Sequence, residues 1–164
     1  MTKIDTNSVN TGGKSPAPKT QLSLADFLPY RLSVLSNRVS HAIAEQYEKR
    51  FQITVAEWRI LAVLGEEKGL SASDVAARTA MDKVAVSRAV SKLLGAGRIA
   101  RKFSKEDKRR SVLTLSATGT DIYNEVVPLA LAYEAKLLAP LSQEEQALLN
   151  GLLLKLQDIQ LHTE

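Results

Sequence analysis

The sequence predicts a mainly α-helical protein carrying one small β-hairpin, and three observations point there. Most of the 164 residues fall into stretches whose apolar side chains recur every three or four positions, the period of a helix with one buried face. Helix-start signals precede those stretches, among them Thr54 with Glu57 and Ser71 with Asp74, spaced so that each side chain can bond the other's backbone N–H. One segment departs from the pattern: Ile99 to Phe103 and Val112 to Leu115 are short β-prone runs, joined by the charged tip Lys105-Glu106-Asp107-Lys108-Arg109-Arg110-Ser111.

Taken in order, residues 1–20 are rich in Thr, Asn, Ser, Gly, Pro and Lys, with only Ile4 and Val9 as sizeable hydrophobes. They are expected to form a disordered tail. Lys3, Lys14 and Lys19 could add weak phosphate contacts, but an inert tail is the preferred reading. From Leu24 to Arg50 an apolar stripe (Leu28, Leu32, Leu35, Val39, Ala42, Ile43, Tyr47) predicts a long helix, with Pro29 confined to its first turn. Thr54 opens the next helix, through Trp58, Ile60, Leu61, Val63 and Leu64, and Gly65 and Gly69 bracket its end.

Ser71 to Arg78 is a short helix, Thr79-Ala80-Met81 a tight connection, and Asp82 the cap of a second helix reaching about Leu94. Gly95 and Gly97 are expected to supply the left-handed conformations that end it. After the hairpin, Ser116 can cap a helix containing Ile122, Val126, Val127, Ala130, Tyr133 and Leu137, with a kink expected at Pro128. Ser142-Gln143-Glu144-Glu145 starts the last helix, which carries Leu148, Leu149, Leu152, Leu153, Leu156 and Ile159.

The helix after Asp82 divides into two faces at about 100° per residue. Val86, Val90 and Leu93, with Ala89 and Leu94 at the edge, share a side that belongs to a core. The other side carries Val84, Ala85, Arg88, Ser91 and Lys92, flanked by Lys83 and Ser87. A major groove would accept that mixture: Arg suits guanine edges, Ser suits several acceptors, and Val or Ala suits the thymine methyl. An ordinary amphipathic helix with scattered charges is the competing reading.

Charge separates the ends of the molecule. The formal net charge is +4, but residues 78–110 hold eleven Lys or Arg against three acids, a local net of +8. Residues 120–164 hold two bases against seven acids, a net of −5. A basic block coinciding with the second helix and the hairpin is the footprint of a polyanion-binding surface.

The run Asp107-Lys108-Arg109-Arg110-Ser111-Val112-Leu113-Thr114-Leu115-Ser116-Ala117-Thr118-Gly119 resembles the wing signature of MarR-family regulators. In that signature an Asp-x-Arg tip precedes an alternating strand and a Leu-Thr/Ser-x-x-Gly helix start. The resemblance spans roughly residues 24 to 160 and is most specific at the wing. It implies a winged helix-turn-helix domain over 54–119 and a helical dimerisation region formed by 21–53 and 120–164. It also implies that Arg109 enters the minor groove while Asp107 holds the wing in shape. A ribbon can deliver a guanidinium into that narrow, electronegative groove.

The expected DNA contacts are then Lys83, Val84, Ala85, Ser87, Arg88, Ser91 and Lys92 on the helix, with Lys108, Arg109 and Arg110 on the wing. Independently of the resemblance, the first helix and the last two are too apolar, and too far in sequence from the reading unit, to serve only a small winged-helix core. Packing between two copies, giving a homodimer over a palindromic operator in double-stranded DNA, is the favoured reading. The family resemblance further implies a small-ligand pocket between platform and reading domain. Arg38 and His41, Trp58 and Tyr133 are its candidates: Arg38 to pair an anion, Trp58 and Tyr133 to stack on a ring. Each also has a plainer reading as a core, surface or helix residue.

Other chemistries find no support in the sequence. It has no Cys and only two His, His41 and His162, so disulfides and thiolate-metal sites are excluded and a zinc site is unsupported. It has no Gly-rich phosphate loop, nucleophile elbow or paired-His metal motif; no enzyme activity and no cofactor are expected. No apolar run is long enough for a membrane span and no signal-peptide core is visible, so a cytoplasmic protein is expected. The favoured function is a homodimeric repressor released by a small effector, possibly of the aromatic-acid type. A sequence-tolerant architectural DNA-binding protein and a helical interaction module without DNA function are the alternatives.

Overall fold

A computed structural model describes residues 22–103 and 111–159. Its elements are α1 (Leu28–Phe51), α2 (Val55–Glu66), α3 (Ala72–Thr79), α4 (Lys83–Gly95), β1 (Ile99–Phe103), β2 (Ser111–Leu115), α5 (Ala117–Leu138) and α6 (Gln143–Gln157). The expected disordered tail at 1–20 and the wing tip Asp107, Lys108, Arg109 and Arg110 lie outside the described residues. Two compact units meet between Leu35 and Ser36, so α1 begins in one and ends in the other.

In the first unit, the helix expected from Leu24 begins instead at Leu28. Pro29 has no N–H to give the carbonyl of Ala25, so a helix running from Leu24 would lose a bond at once. The chain makes a separate turn there: the Ser23 hydroxyl bonds Asp26 at 2.8 Å, and the Ser23 carbonyl accepts from the Phe27 N–H at 3.0 Å.

The second unit is built around one buried cluster. It takes Ile60, Leu61 and Leu64 from α2, Val75 from α3, and Val86, Val90 and Leu93 from α4. Ile99 and Leu113 join it from the two strands. Each such side chain contributes about 1.5–3 kcal/mol by leaving water. Ala44 and Tyr47 near the end of α1, Ile53 after it, and Ile122 and Val126 of α5 belong to the same cluster. The core formed by 54–119 therefore recruits chain from both sides of that segment. Apart from buried Gly119, the rest of α5 is half-buried or exposed, and α6 has no buried residue at all.

Capping fixes where the helices start. Thr54, Ser71 and Ser142 each form a reciprocal capping box, with Glu57, Asp74 and Glu145. Glu57 is buried, its carboxylate held by the Thr54 N–H at 2.7 Å and hydroxyl at 2.9 Å. Between α3 and α4 the chain reverses through Ala80, which takes a left-handed conformation (φ 51, ψ 31), a strained state for a residue with a Cβ. Asp82 then caps α4 by accepting from the N–H groups of Val84 and Ala85, both at 2.9 Å.

The end of α4 differs from expectation in one respect. Gly95 is the last helical residue, and only Gly97 takes a positive φ, +66. One left-handed residue suffices because the Ala96 N–H already returns to the Lys92 carbonyl at 2.9 Å. The strands pair antiparallel in the register Ile99↔Leu115 through Phe103↔Ser111. Leu113 also bridges to Leu70, its N–H on the Leu70 carbonyl at 2.8 Å, which sews the hairpin to the α2–α3 loop. Helix α5, capped by Ser116, continues through Pro128 to Leu138 as one helix. Its third residue is a glycine for a steric reason: a Cβ on Gly119 would sit 1.9 Å from the Arg98 carbonyl oxygen.

Candidate nucleic-acid interface

The expected division of α4 is present in the structure. Val86, Ala89, Val90 and Leu93 are buried, while Lys83, Val84, Ser87, Arg88, Ser91 and Lys92 are exposed; Ala85 is half-buried. Val84 stands 59% exposed between cations, where neither the core nor solvation accounts for an isopropyl group. Among the described residues, Lys83, Arg88 and Lys92 have no carboxylate partner; the ion pairs are Arg50–Glu125 and Arg78–Glu67. Asp82, at the start of this helix, spends its carboxylate on the helix cap. The face is thus cationic, and the positive end of the α4 dipole adds to it.

Next to the face runs a groove of about 180 Å³ lined by Ser73 of α3, Lys83, Ser87 and Ser91 of α4, and Arg101 of β1. Arg101 belongs to the basic block of residues 78–110 but lies outside the expected contact set. Its position follows from pairing opposite buried Leu113, a register that local periodicity does not reveal. Lys102 and Phe103 are also exposed, Phe103 at 67%, on the strand that leads to the wing tip.

The four ligand candidates are not gathered in one place. Trp58 lies between Tyr47 (ring centroids 5.7 Å apart) and Tyr123 (6.2 Å apart, planes at 30°). It lines a cavity of about 110 Å³ with Ser40, Ile43, Tyr47, Val55 and Arg59, and Arg59 donates to the Ser40 hydroxyl at 3.1 Å. Burial pushes the Tyr47 phenol up to about 12, with Glu48 adding to the shift and Arg59 opposing it. Tyr133 lines a separate cavity of about 320 Å³ with Val39, Ile43, Leu131, Glu134 and Leu137. Arg38 and His41 are exposed on α1 and line neither cavity. The guanidinium beside Trp58 is therefore Arg59, its neighbour in sequence. Periodicity alone concealed this because Arg59 is half-buried rather than solvated.

Among the described residues no cluster of His, Asp or Glu is arranged to hold a metal ion, and no helix is long and apolar enough to cross a membrane.

Three helices in helix-turn-helix arrangement, an exposed cationic second reading helix and an edge hairpin define a winged helix-turn-helix protein. Residues 51–110 match the MarR family model. A curated relative, the HTH-type transcriptional regulator BilQ of Clostridium symbiosum, is 34% identical over 93 residues. That alignment takes in 57% of this chain and 65% of BilQ, so the chain spans just under two thirds of that relative's length. A MarR/EmrR family transcriptional regulator from Acinetobacter sp. ADP1 superposes with a TM-score of 0.76 at 28% identity, over 84% of this chain and 96% of the other. Bordetella bronchiseptica BpsR, whose DNA binding is regulated by 6-hydroxynicotinic acid, shares the fold: TM-score 0.74, 21% identity, 85% of this chain and 99% of BpsR.

Proposed function

We propose that the chain is a DNA-binding transcription regulator, a homodimeric repressor that a small effector releases from a palindromic operator. The observation that carries the reading is the exposed face of α4. Among the described residues its cations lack carboxylate partners, and they flank an exposed Val84, a composition that suits base edges and the thymine methyl. Lys83, Val84, Ala85, Ser87, Arg88, Ser91 and Lys92 form its direct-readout set. Lys108, Arg109 and Arg110 act at the wing tip, with Asp107 shaping it. The regulators matched in sequence and fold support this assignment.

Homodimerisation is supported by α6, which exposes Leu148, Leu149, Leu152, Leu153, Leu154 and Leu156 without burying one residue in its own chain. A second copy covering that helix provides the two reading heads that half-sites about one DNA turn apart require.

For the effector, the Trp58 cavity supplies two aromatic walls and a guanidinium, a chemistry that fits an aromatic carboxylate. Tyr133 lines the adjoining cavity, and Ile43 lines both. Arg38 and His41, on the exposed side of α1, act only where a ligand extends to that surface. BpsR supplies a precedent in the same fold for an aromatic acid acting on DNA binding. An effector that binds the DNA-incompetent state about 100-fold tighter shifts the balance by about 2.7 kcal/mol.

The deciding experiment is a salt-series titration on the promoter DNA beside the chain's own gene, with random duplex as control. A regulator binds its operator roughly 10³-fold or more tighter than random DNA. Equal affinity for both supports the architectural alternative, and no binding at low salt rejects both.

A further inference from the structure

A second cavity, of about 370 Å³, lies on the other side of the hairpin from α4, and the assignment above does not use it. Its walls come from three parts of the chain: the α2–α3 connection, the two strands, and the start of α5. Lys68 and Lys102 enter it from different elements, together with Thr114, Tyr123 and Asn124. Among the described residues no carboxylate lines it and neither lysine has an acidic partner. The Thr120 hydroxyl at its rim is already donated to the Ser116 carbonyl at 2.9 Å. The free donors are therefore two ammonium groups, two hydroxyls and one amide, over a floor of Leu64 and Leu115.

Two lysines lining one cavity, with no counter-ion among the described residues, favour an anion held between them. The donor set also selects among anions. An arginine would offer a planar fork matched to a carboxylate, but among the described residues none lines this cavity. Paired ammonium point charges with several single donors fit a compact dianion with oxygens in three directions. The apolar floor and the volume fit a small organic body attached to that group. We propose that this cavity binds a small phosphorylated organic anion, a phosphomonoester, at the junction of the wing and α5. A ligand there joins Lys102 of the wing strand to Asn124 of α5. It is a different site, for a different chemical class, from the aromatic cavity at Trp58.

The test is calorimetry on the full chain at about 0.1 M salt, with phenyl phosphate as the probe and benzoate as the carboxylate control. The expected result is one phenyl phosphate per chain with a Kd below roughly 1 mM. A tenfold or greater weakening is expected in Lys68→Gln/Lys102→Gln, whose urea midpoint should match the wild type. Thr114→Val, which keeps both charges, should weaken the probe several-fold and serves if the double variant does not fold. Any of three results overturns the proposal: no saturable binding at millimolar probe, binding unchanged in both variants, or benzoate binding as tightly as phenyl phosphate. Loss of DNA affinity in the double variant without phosphate-ester binding in the wild type also overturns it, assigning both lysines to the DNA backbone.

Discussion

The Arg98 guanidinium reaches back to donate to the Phe51 carbonyl, the last residue of α1, at 2.5 Å, and to the Gln52 carbonyl at 3.2 Å. These are carbonyls that a helix end leaves without partners, and Gln52 turns the chain there at a positive φ of 50. On its other side, the Arg98 carbonyl accepts the Ser116 N–H at 3.1 Å at the cap of α5. One residue at the root of the wing therefore fixes the end of α1 and the start of α5. Arg98→Ala should lower unfolding free energy by about 1.5–3 kcal/mol, the worth of charged-donor hydrogen bonds. Arg98→Lys should lose about half as much, because one ammonium can serve one carbonyl well but not both. Urea denaturation followed by the single tryptophan, Trp58, measures both.

Gly119 and Gly95 form a contrasting pair. A methyl at Gly119 meets the Arg98 backbone oxygen, which no side-chain rotation can move, whereas a methyl at Gly95 meets nothing within 4 Å. Gly119→Ala should destabilise by about 1–3 kcal/mol or more through forced backbone shifts. Gly95→Ala, at a helical position, should be neutral or stabilise by about 0.4–1 kcal/mol. Thermal unfolding of the two variants side by side checks the sign of each; a stabilised Gly119→Ala would show that α5 does not lie this close to Arg98.

These contacts mark what the sequence can and cannot disclose. The two faces of α4, the capping boxes at Thr54 and Ser71, and both strands were legible because each depends on neighbours within a few residues. The start of α1 was misjudged because the apolar stripe continues past Pro29, while backbone bonding does not. Arg98 and Phe51 are 47 positions apart, and no local period predicts that pairing. The ligand candidates suffered likewise. Trp58 was recognisable by type, but its partners Tyr47, Tyr123 and Arg59 are set by how α1, α2 and α5 pack. The wing carried the most specific motif in the sequence, yet its tip lies outside the described residues, so Arg109 still rests on resemblance.

The α4 face predicts a separation of affinity from specificity. Arg88→Ala and Val84→Ser should each change the preferred base by about 1–3 kcal/mol at one operator position, with random-DNA binding altered less. Arg109→Ala should weaken binding by about 1–3 kcal/mol and flatten the salt dependence where it contacts phosphates. Competition titrations against a library of single-base operator variants distinguish the two behaviours. Uniform weakening by all three substitutions would remove α4 from base readout.

Tyr47 predicts an alkaline signature. Its phenol has a folded value of about 12 against 10.0 for an ordinary tyrosine, chiefly through burial. The folded state holds this proton more tightly than the unfolded state, so the contribution is fully present below pH 10 and is lost as pH rises through 12. Two units correspond to about 2.7 kcal/mol. Wild type should therefore lose about 2–3 kcal/mol relative to Tyr47→Phe between pH 10 and 12. Urea unfolding of both proteins across that interval isolates the phenol from the lysines they share; parallel curves would mean that the hydroxyl reaches solvent.

Charges on α6 should separate the proposed dimer contact from the α4 face. Helix α6 exposes Leu152 at 49% and Leu156 at 44%, four positions apart and so on one face. Because no α6 residue is buried within its own chain, charges placed there should leave the reading domain folded. Leu152→Glu/Leu156→Glu should shift the protein from dimer to monomer in sedimentation equilibrium, with its helical circular dichroism largely retained. Two linked heads gain about 10²–10⁴-fold over one by effective concentration, so operator affinity should fall by that factor while the salt slope roughly halves. Trp58 fluorescence provides the control, since its cavity is lined by α1 and α2 and should survive the loss of the partner. A variant that stays dimeric with undiminished operator binding would place the dimer contact elsewhere and leave the α6 leucines without their proposed role.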